Sequence, residues 1–128
     1  MKKTRIFYCL IIFVLWAVSG CAPLIIGAAA GGLGAVAVSK DAIQGDTDKS
    51  YDSIWNAALT VSRIRGAIKK EDYTRGNIEL VSDSSRIWIR LIRLTHATTR
   101  LRISSRKHHL PNLDLAQDIF VKVMEEAK

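Results

Sequence analysis

The chain has 128 residues, the usual length of a single domain, and a formal net charge of +7. Three of its 19 Lys and Arg residues precede residue 21, so the part that follows has a net charge of only +4. Both cysteines, Cys9 and Cys21, lie near the start of the chain. This position excludes disulfide bonds and cysteine-based metal sites from everything after residue 21, and a small domain there must rely on its hydrophobic core.

The first 20 residues have the pattern of a signal peptide. Two lysines and one arginine form a basic start, and an uncharged apolar run of 12 residues follows from Ile6 to Ala17. This run is too short to span a bilayer by itself. We therefore predict that residues 1–20 are removed. An uncleaved signal anchor is the alternative, because no charged residue occurs between Ile6 and Ser39.

The sequence Leu15-Trp16-Ala17-Val18-Ser19-Gly20-Cys21 has the form of a bacterial lipobox. Small residues precede the cysteine because the peptidase binds an extended strand next to the cut, and the cysteine thiol is the acceptor for diacylglycerol. We predict that Cys21 starts the mature protein and carries a diacylglycerol and an N-acyl chain, with no other cofactor. Ala22, where aspartate would retain a Gram-negative lipoprotein at the inner membrane, favours the outer membrane and a periplasm-facing domain. A plasma-membrane lipoprotein and a signal-anchored inner-membrane protein are the alternatives.

A segment without polar side chains follows, from Ala22 to Val38. Gly27 with Gly31, and Gly31 with Ala35, have the small-xxx-small spacing that lets helices approach closely in lipid, and Gly34 lies in the same stretch. One interpretation is therefore a membrane-associated or self-associating segment. The other is a flexible spacer, which as a coil would span roughly 23 Å.

From Lys40 to the last residue the composition is that of a globular domain, and we predict the element order strand, helix, four strands, helix. Ser50 or Asp52 can cap the first helix, and Gly66 can end it. We expect an α+β domain with an antiparallel sheet of about four to five strands and two helices on one face. The predicted strands are Asp41–Ser50 at a sheet edge, Ala67–Tyr73, Ile78–Ser82, Arg86–Thr95 and Thr98–Arg106.

Two apolar stripes define the predicted helices. The helix Ser53–Arg65 presents Ile54, Ala57, Ala58, Val61 and Ile64, with Trp55 at the border of the stripe. The last helix is entered at Pro111-Asn112 and presents Leu115, Ala116, Ile119, Phe120 and Val123.

The whole chain resembles a group of small uncharacterised bacterial lipoproteins, in which a lipobox and a Gly/Ala-rich segment precede a compact α+β domain. The resemblance implies the same fold and the same lipid anchor, and it carries no known activity. The residues that support it are Cys21-Ala22-Pro23-Leu24, Gly27 to Gly34, Trp55-Asn56-Ala57-Ala58 and Leu110-Pro111-Asn112.

The stretch from Arg86 to Lys107, which contains the last two predicted strands, is strongly basic. Alternation along its two strands predicts that Ile87, Ile89, Leu91, Leu101 and Ile103 face the helices. Inward-facing residues of the two strands must pair with each other, and all of them have odd numbers. The two residue numbers of each cross-strand pair must therefore add up to an even number, which requires a loop with an odd number of residues around His96-Ala97. The opposite face would show Trp88, Arg90, Ile92 and Leu94 beside Arg100, Arg102, Ser104 and Arg106. The seven basic residues, with no acidic residue among them, are Arg86, Arg90, Arg93, Arg100, Arg102, Arg106 and Lys107.

Arginine binds carboxylate and phosphate groups in a bidentate way and stacks on aromatic rings. The functional hypothesis is therefore an anion-binding face of Trp88, Arg90, Arg100, Arg102 and Arg106. Its partner would be an envelope lipid, a glycan or an acidic protein surface; we do not expect nucleic acid, which an exported protein rarely meets. The alternative is a solvated face whose arginine stems cover the apolar side chains.

Other chemistry is not indicated. Adjacent histidines such as His108 and His109 would point to opposite faces of a strand, and no third ligand is near, so we expect no metal site. His96 is expected in a solvated turn, and no serine has the context of a nucleophile. We expect neither catalytic residues nor enzymatic activity. The predicted function is a membrane-anchored envelope lipoprotein acting as a structural or interaction module. An anion-binding module and a self-assembling component are the alternatives, and the oligomeric state stays open.

Overall fold

The computed structural model describes residues 33–128 of the chain. The predicted signal peptide, the lipobox with Cys21, and Gly27 and Gly31 lie outside the described residues. The elements are β1 (Leu33–Val38), β2 (Ala42–Thr47), α1 (Tyr51–Arg65), β3 (Ala67–Asp72), β4 (Asn77–Ser82), β5 (Ser85–Arg93), β6 (Thr99–Lys107), β7 (Leu110–Pro111) and α2 (Leu113–Glu126).

The strands form one antiparallel sheet in the order β1-β2-β6-β5-β4-β3, and the short β7 pairs with the end of β6. The two helices pack against one face of this sheet, and the predicted α+β class is confirmed. Seven strands are present in the described part of the chain, more than expected, because β1 and β7 were not predicted. The strand expected at an edge, β2, instead lies between β1 and β6.

Strand β1 changes the interpretation of the Gly/Ala-rich segment. It pairs with β2 from Leu33 opposite Thr47 to Val38 opposite Ile43, so the sheet begins before the domain start expected at Lys40. Val36 packs against the core, where Gly45 of β2 has no side chain to exclude it. Residues 33–38, which include Gly34, are therefore a strand of the sheet, whereas residues 22–32 of the segment lie outside the described residues.

Helix α1 begins two residues earlier than predicted, because the Ser50 side chain accepts a hydrogen bond from the Ser53 backbone N–H. Its orientation also differs from the prediction. Trp55, expected at the border of the apolar stripe, is buried, whereas Ile64 is 76% exposed. Ser62 is buried as well, so the contact face is centred nearer to Trp55 and Ser62. At 100° per residue, this rotation turns Ile64 out of the core.

Helix α2 has the predicted cap and the predicted apolar face. The Asn112 side chain accepts from the Leu115 backbone N–H, and the side chains of Ile119, Phe120 and Val123 are buried. At the other end, Lys49 donates from its Nζ to carbonyl oxygens of the last turn of α2, one of them at 2.9 Å. Neither helix of residues 33–128 combines the length and apolar character needed to cross a membrane.

The turn between β3 and β4 is tightly packed onto the start of α1. Tyr51 donates from its hydroxyl to the Tyr73 carbonyl oxygen at 2.9 Å, and the two rings meet edge to face. Gly76 has a φ of +65°, and a Cβ there would lie 2.3 Å from the Leu91 carbonyl oxygen. This turn therefore requires glycine at position 76 for both conformation and space.

Candidate functional site

The pairing of the β5–β6 hairpin has the parity that the sequence predicted. Ile89 pairs with Ile103, so paired positions add up to an even number, and the loop from Leu94 to Thr98 has an odd length of five residues. Ile87, Ile89, Leu91, Leu101 and Ile103 are all buried under the helices. The other side of the sheet, which we call the open face, carries five of the seven basic residues: Arg86, Arg90, Arg100, Arg102 and Arg106. Arg93 and Lys107 alternate with the opposite set, and the guanidinium of Arg93 lies 4.8 Å from the centre of the Tyr51 ring.

Four pairs of residues lie directly opposite each other on the open face of this hairpin. They are Arg86 with Arg106, Trp88 with Ser104, Arg90 with Arg102, and Ile92 with Arg100. The residues proposed for an anion-binding face thus do share one surface. The neighbouring strands add side chains that the hairpin alone did not reveal: Asp46 beside Arg100, Gln44 beside Arg102, Asn77 beside Arg90, and Glu79 beside Trp88.

Two of the predicted arginines are neutralised by aspartates. Arg100 donates to Asp46 from Nε at 2.6 Å and from a terminal nitrogen at 2.9 Å, a bidentate pair. This hydrogen bonding lowers the pKa of Asp46 and raises the pKa of Arg100. Arg106 donates to Asp41 at 3.1 Å, and this hydrogen bond is likewise the main cause of the lowered pKa of Asp41. Arg100 and Arg106 are therefore not free to bind an anion without competition.

A third arginine of the open face, Arg86, is also engaged. Its Nε lies 3.6 Å from Glu79, and its guanidinium is 5.9 Å from the centre of the Trp88 ring. Both contacts are at the long end of their ranges. The guanidinium of Arg86 therefore lies beside the Trp88 indole and contacts both the ring and Glu79 only loosely.

Arg90 and Arg102, which we call the arginine pair, differ from the others. Arg90 donates from Nε to the neutral Asn77 side chain at 3.1 Å. Arg102 makes no hydrogen bond or ion pair with any residue in the described ranges. Both side chains are exposed and stand directly opposite each other. Like charges at directly opposite positions destabilise a sheet, so a negative charge placed near the arginine pair would reduce the repulsion between the two guanidinium groups.

The arginine pair borders a shallow depression of about 490 Å³ in the open face. Three of the residues around it were missed at the sequence level: Lys70, Asn77 and Glu79. Alternation along β4 could have placed Asn77 and Glu79, since Ile78 and Leu80 were expected on the inner face. Lys70 could not be placed, because an irregularity between residues 68 and 70 of β3 shifts the register. The charged residues lining the depression are Lys70, Glu79, Arg90 and Arg102.

The remaining candidates do not join this site. His108 and His109 form the turn between β6 and β7, with φ values of 48° and 71°. The sequence instead predicted that they are neighbours in a strand. Both are exposed, as is His96 in its loop. Across residues 33–128, no group of three or more His, Cys, Asp or Glu is placed to hold a metal ion. Gly34 lies in β1 at the far edge of the sheet.

No relative of the chain is found among curated proteins. A family model does match residues 4–107, which cover most of the chain, including the open-face strands β2 to β6. The chain therefore belongs to the family described as protein of unknown function DUF3568.

Proposed function

We propose that the protein is an envelope lipoprotein, anchored in the outer membrane through Cys21, whose folded domain is an interaction module facing the periplasm. The support is the basic start, the short apolar run and the lipobox, which agree with one another. The resemblance to small bacterial lipoproteins supports the same arrangement.

The intact mass of the protein extracted from membranes tests the anchor, with wild type measured beside Cys21→Ser. We expect a wild-type mass equal to residues 21–128 plus acyl chains, and we expect the Cys21→Ser variant to lack that species. An unmodified full-length mass in both proteins would instead show an uncleaved signal anchor, and the proposed attachment would be withdrawn.

The domain is proposed to bind an anionic group through the arginine pair. The observation that carries this proposal is that Arg90 and Arg102 face each other and neither forms an ion pair with a carboxylate of the described residues, whereas Arg100 and Arg106 are held by aspartates. An anion placed between two guanidinium groups would relieve their repulsion and accept hydrogen bonds from both.

Binding of inorganic phosphate, followed by calorimetry, tests this role. Charge-assisted hydrogen bonds contribute about 1.5–3 kcal/mol each. The variant Arg90→Gln plus Arg102→Gln should therefore bind phosphate at least tenfold more weakly than wild type. The matched control is Arg63→Gln plus Lys122→Gln, which removes the same charge from exposed positions of the helices. Equal weakening in both variants would indicate a general charge effect and would contradict a specific site.

A second candidate function is self-association, and the position of β1 favours it. Among residues 33–128, β1 is an edge strand of the sheet, and it contains no charged residue that would discourage pairing with another chain. Chemical crosslinking in membranes would test this function by comparing wild type with Gly27→Leu plus Gly31→Leu and with Ala37→Lys. Loss of homo-oligomers in the variants is expected. Monomers in every sample, wild type included, would rule the assembly role out.

A further inference from the structure

The arginine pair lies next to an aromatic platform. On β5, Trp88 and Arg90 both face outward, and two residues along a strand are about 6.6–6.8 Å apart. On β6, Ser104 and Arg102 face outward with the same spacing and lie directly opposite them. A ligand that places an anionic group at the arginine pair, and has a ring attached to that group, can therefore place the ring over Trp88.

The surroundings of Trp88 combine apolar and polar groups. The indole is half-buried and lines the depression, and the guanidinium of Arg86 lies 5.9 Å from its ring centre. Its two cross-strand neighbours are Glu79 on β4 and Ser104 on β6, so a carboxylate and a hydroxyl flank the ring on opposite sides. The carboxylate accepts hydrogen bonds, and the hydroxyl both donates and accepts them. A saturated ring with C–H groups on one face and hydroxyls around its rim, as in a pyranose sugar, matches this arrangement.

The charge of the depression favours a particular anion. Among the residues that line the depression, Lys70, Arg90 and Arg102 contribute three positive charges and Glu79 contributes one negative charge, which leaves a formal balance of +2. Arg86, which contacts Glu79 at 3.6 Å, is outside this lining. A phosphate monoester carries about −1.5 to −2 at neutral pH. A single carboxylate would leave about half of the positive charge unbalanced. Arginine binds both carboxylate and phosphate in a bidentate way, but a phosphate monoester has three terminal oxygens and can therefore accept from two arginine forks at once.

We infer that the ligand of the open face is a phosphorylated sugar, with its phosphate between Arg90 and Arg102 and its sugar ring on Trp88. Glu79 and Ser104 hydrogen-bond the sugar hydroxyls. The volume of about 490 Å³ lies within the range of small-molecule sites, about 300–1,000 Å³. This inference rests on the proposed anion-binding function, because it assigns the phosphate to the same arginine pair.

The test uses the full chain in detergent and three probes: glucose 1-phosphate, inorganic phosphate and glucose. Binding is measured by calorimetry, and Trp88→Leu and Ile92→Ala are compared with wild type. We expect glucose 1-phosphate to bind at least tenfold more tightly than inorganic phosphate. Trp88→Leu should abolish that difference and keep phosphate binding. Ile92→Ala, an exposed apolar position on the same face, should change neither.

The outcomes separate the two proposals. If glucose 1-phosphate and inorganic phosphate bind wild type equally, the sugar is not recognised and this inference is overturned, while anion binding stands. If wild type binds none of the probes, the anion-binding function itself is overturned. Trp88→Phe keeps an aromatic platform and guards against a folding defect in Trp88→Leu. A full loss of the sugar preference in a folded Trp88→Phe protein would contradict stacking as its cause.

Discussion

Ser62 offers a direct test of what a buried hydroxyl group without a hydrogen-bond partner costs in stability. It lies in the last turns of α1 with 0% of its surface exposed, and its hydroxyl has no hydrogen-bond partner among residues 33–128. A buried hydroxyl without a partner costs about 1–3 kcal/mol. Alanine also exceeds serine in helix propensity by about 0.5 kcal/mol. We therefore expect Ser62→Ala to raise the free energy of unfolding by about 1–3 kcal/mol, after small losses of packing.

Urea unfolding followed by circular dichroism measures this change. Thermal unfolding should agree with it, since about 1 kcal/mol corresponds to about 4–8 °C in a domain of this size. Thr60→Ala is the matched control, because Thr60 is exposed on the same helix and its replacement alters little beyond helix propensity. If Ser62→Ala is destabilising, or gains no more than Thr60→Ala, the claim of a costly unpaired hydroxyl is refuted. Ser105, equally buried and unpaired within the described part, should respond to alanine in the same direction.

Three further changes test other features of the fold. Gly76→Ala should cost about 2–4 kcal/mol of unfolding free energy, because the positive φ disfavours alanine and its Cβ would meet the Leu91 carbonyl oxygen. Lys49→Met should cost about 1–3 kcal/mol, because the last carbonyl groups of α2 lose a charged donor. Since Arg100 lowers the pKa of Asp46 in the folded state below 3.8, the resulting stability is present above about pH 4 and lost at lower pH. Asp46→Asn should therefore weaken the acid dependence of unfolding.

Urea midpoints check all three expectations. A Gly76→Ala protein as stable as wild type would show that the turn has room for a side chain. An unchanged midpoint for Lys49→Met would mean that water satisfies the end of α2 equally well. Parallel pH profiles of wild type and Asp46→Asn between about pH 5 and 2 would contradict a role for the Asp46–Arg100 pair in acid stability.

The sequence predicted the hairpin at the centre of the sheet well, for a physical reason. Side chains alternate with a period of two along a strand, so Ile87, Ile89 and Leu91 determine which face every neighbour occupies. The parity of the pairing follows from the same alternation. The basic character of the open face and the odd loop length could thus be deduced from the order of the residues alone.

The charge balance of that face could not be deduced, because it depends on sheet order. Asp46 and Arg100 are 54 positions apart and meet only because β2 lies beside β6. The sequence placed β2 at an edge, where its carboxylates would have faced solvent. The arginine pair is distinctive only because the neighbouring strands neutralise Arg100 and Arg106.

Strand β1 was missed because its composition carries little information. Its residues, Leu33-Gly34-Ala35-Val36-Ala37-Val38, are all small or apolar and show no polar alternation. Their position is set by tertiary contacts, including the space that Gly45 leaves for Val36. The exposure of Ile64 has a similar origin, because the rotation of α1 depends on the depth at which Trp55 is buried.

The direction in which β1 enters the sheet limits how far the site can lie from a membrane. Leu33, the first described residue, is level with Thr47, and Thr47 is level with Thr99. Arg102 is three residues further along β6, about 10 Å away. Cys21 precedes Leu33 by 12 residues, which reach about 40–43 Å when fully extended. If Cys21 carries lipid, the arginine pair samples only a layer within about 50 Å of the bilayer surface, and its ligand must occur in that layer.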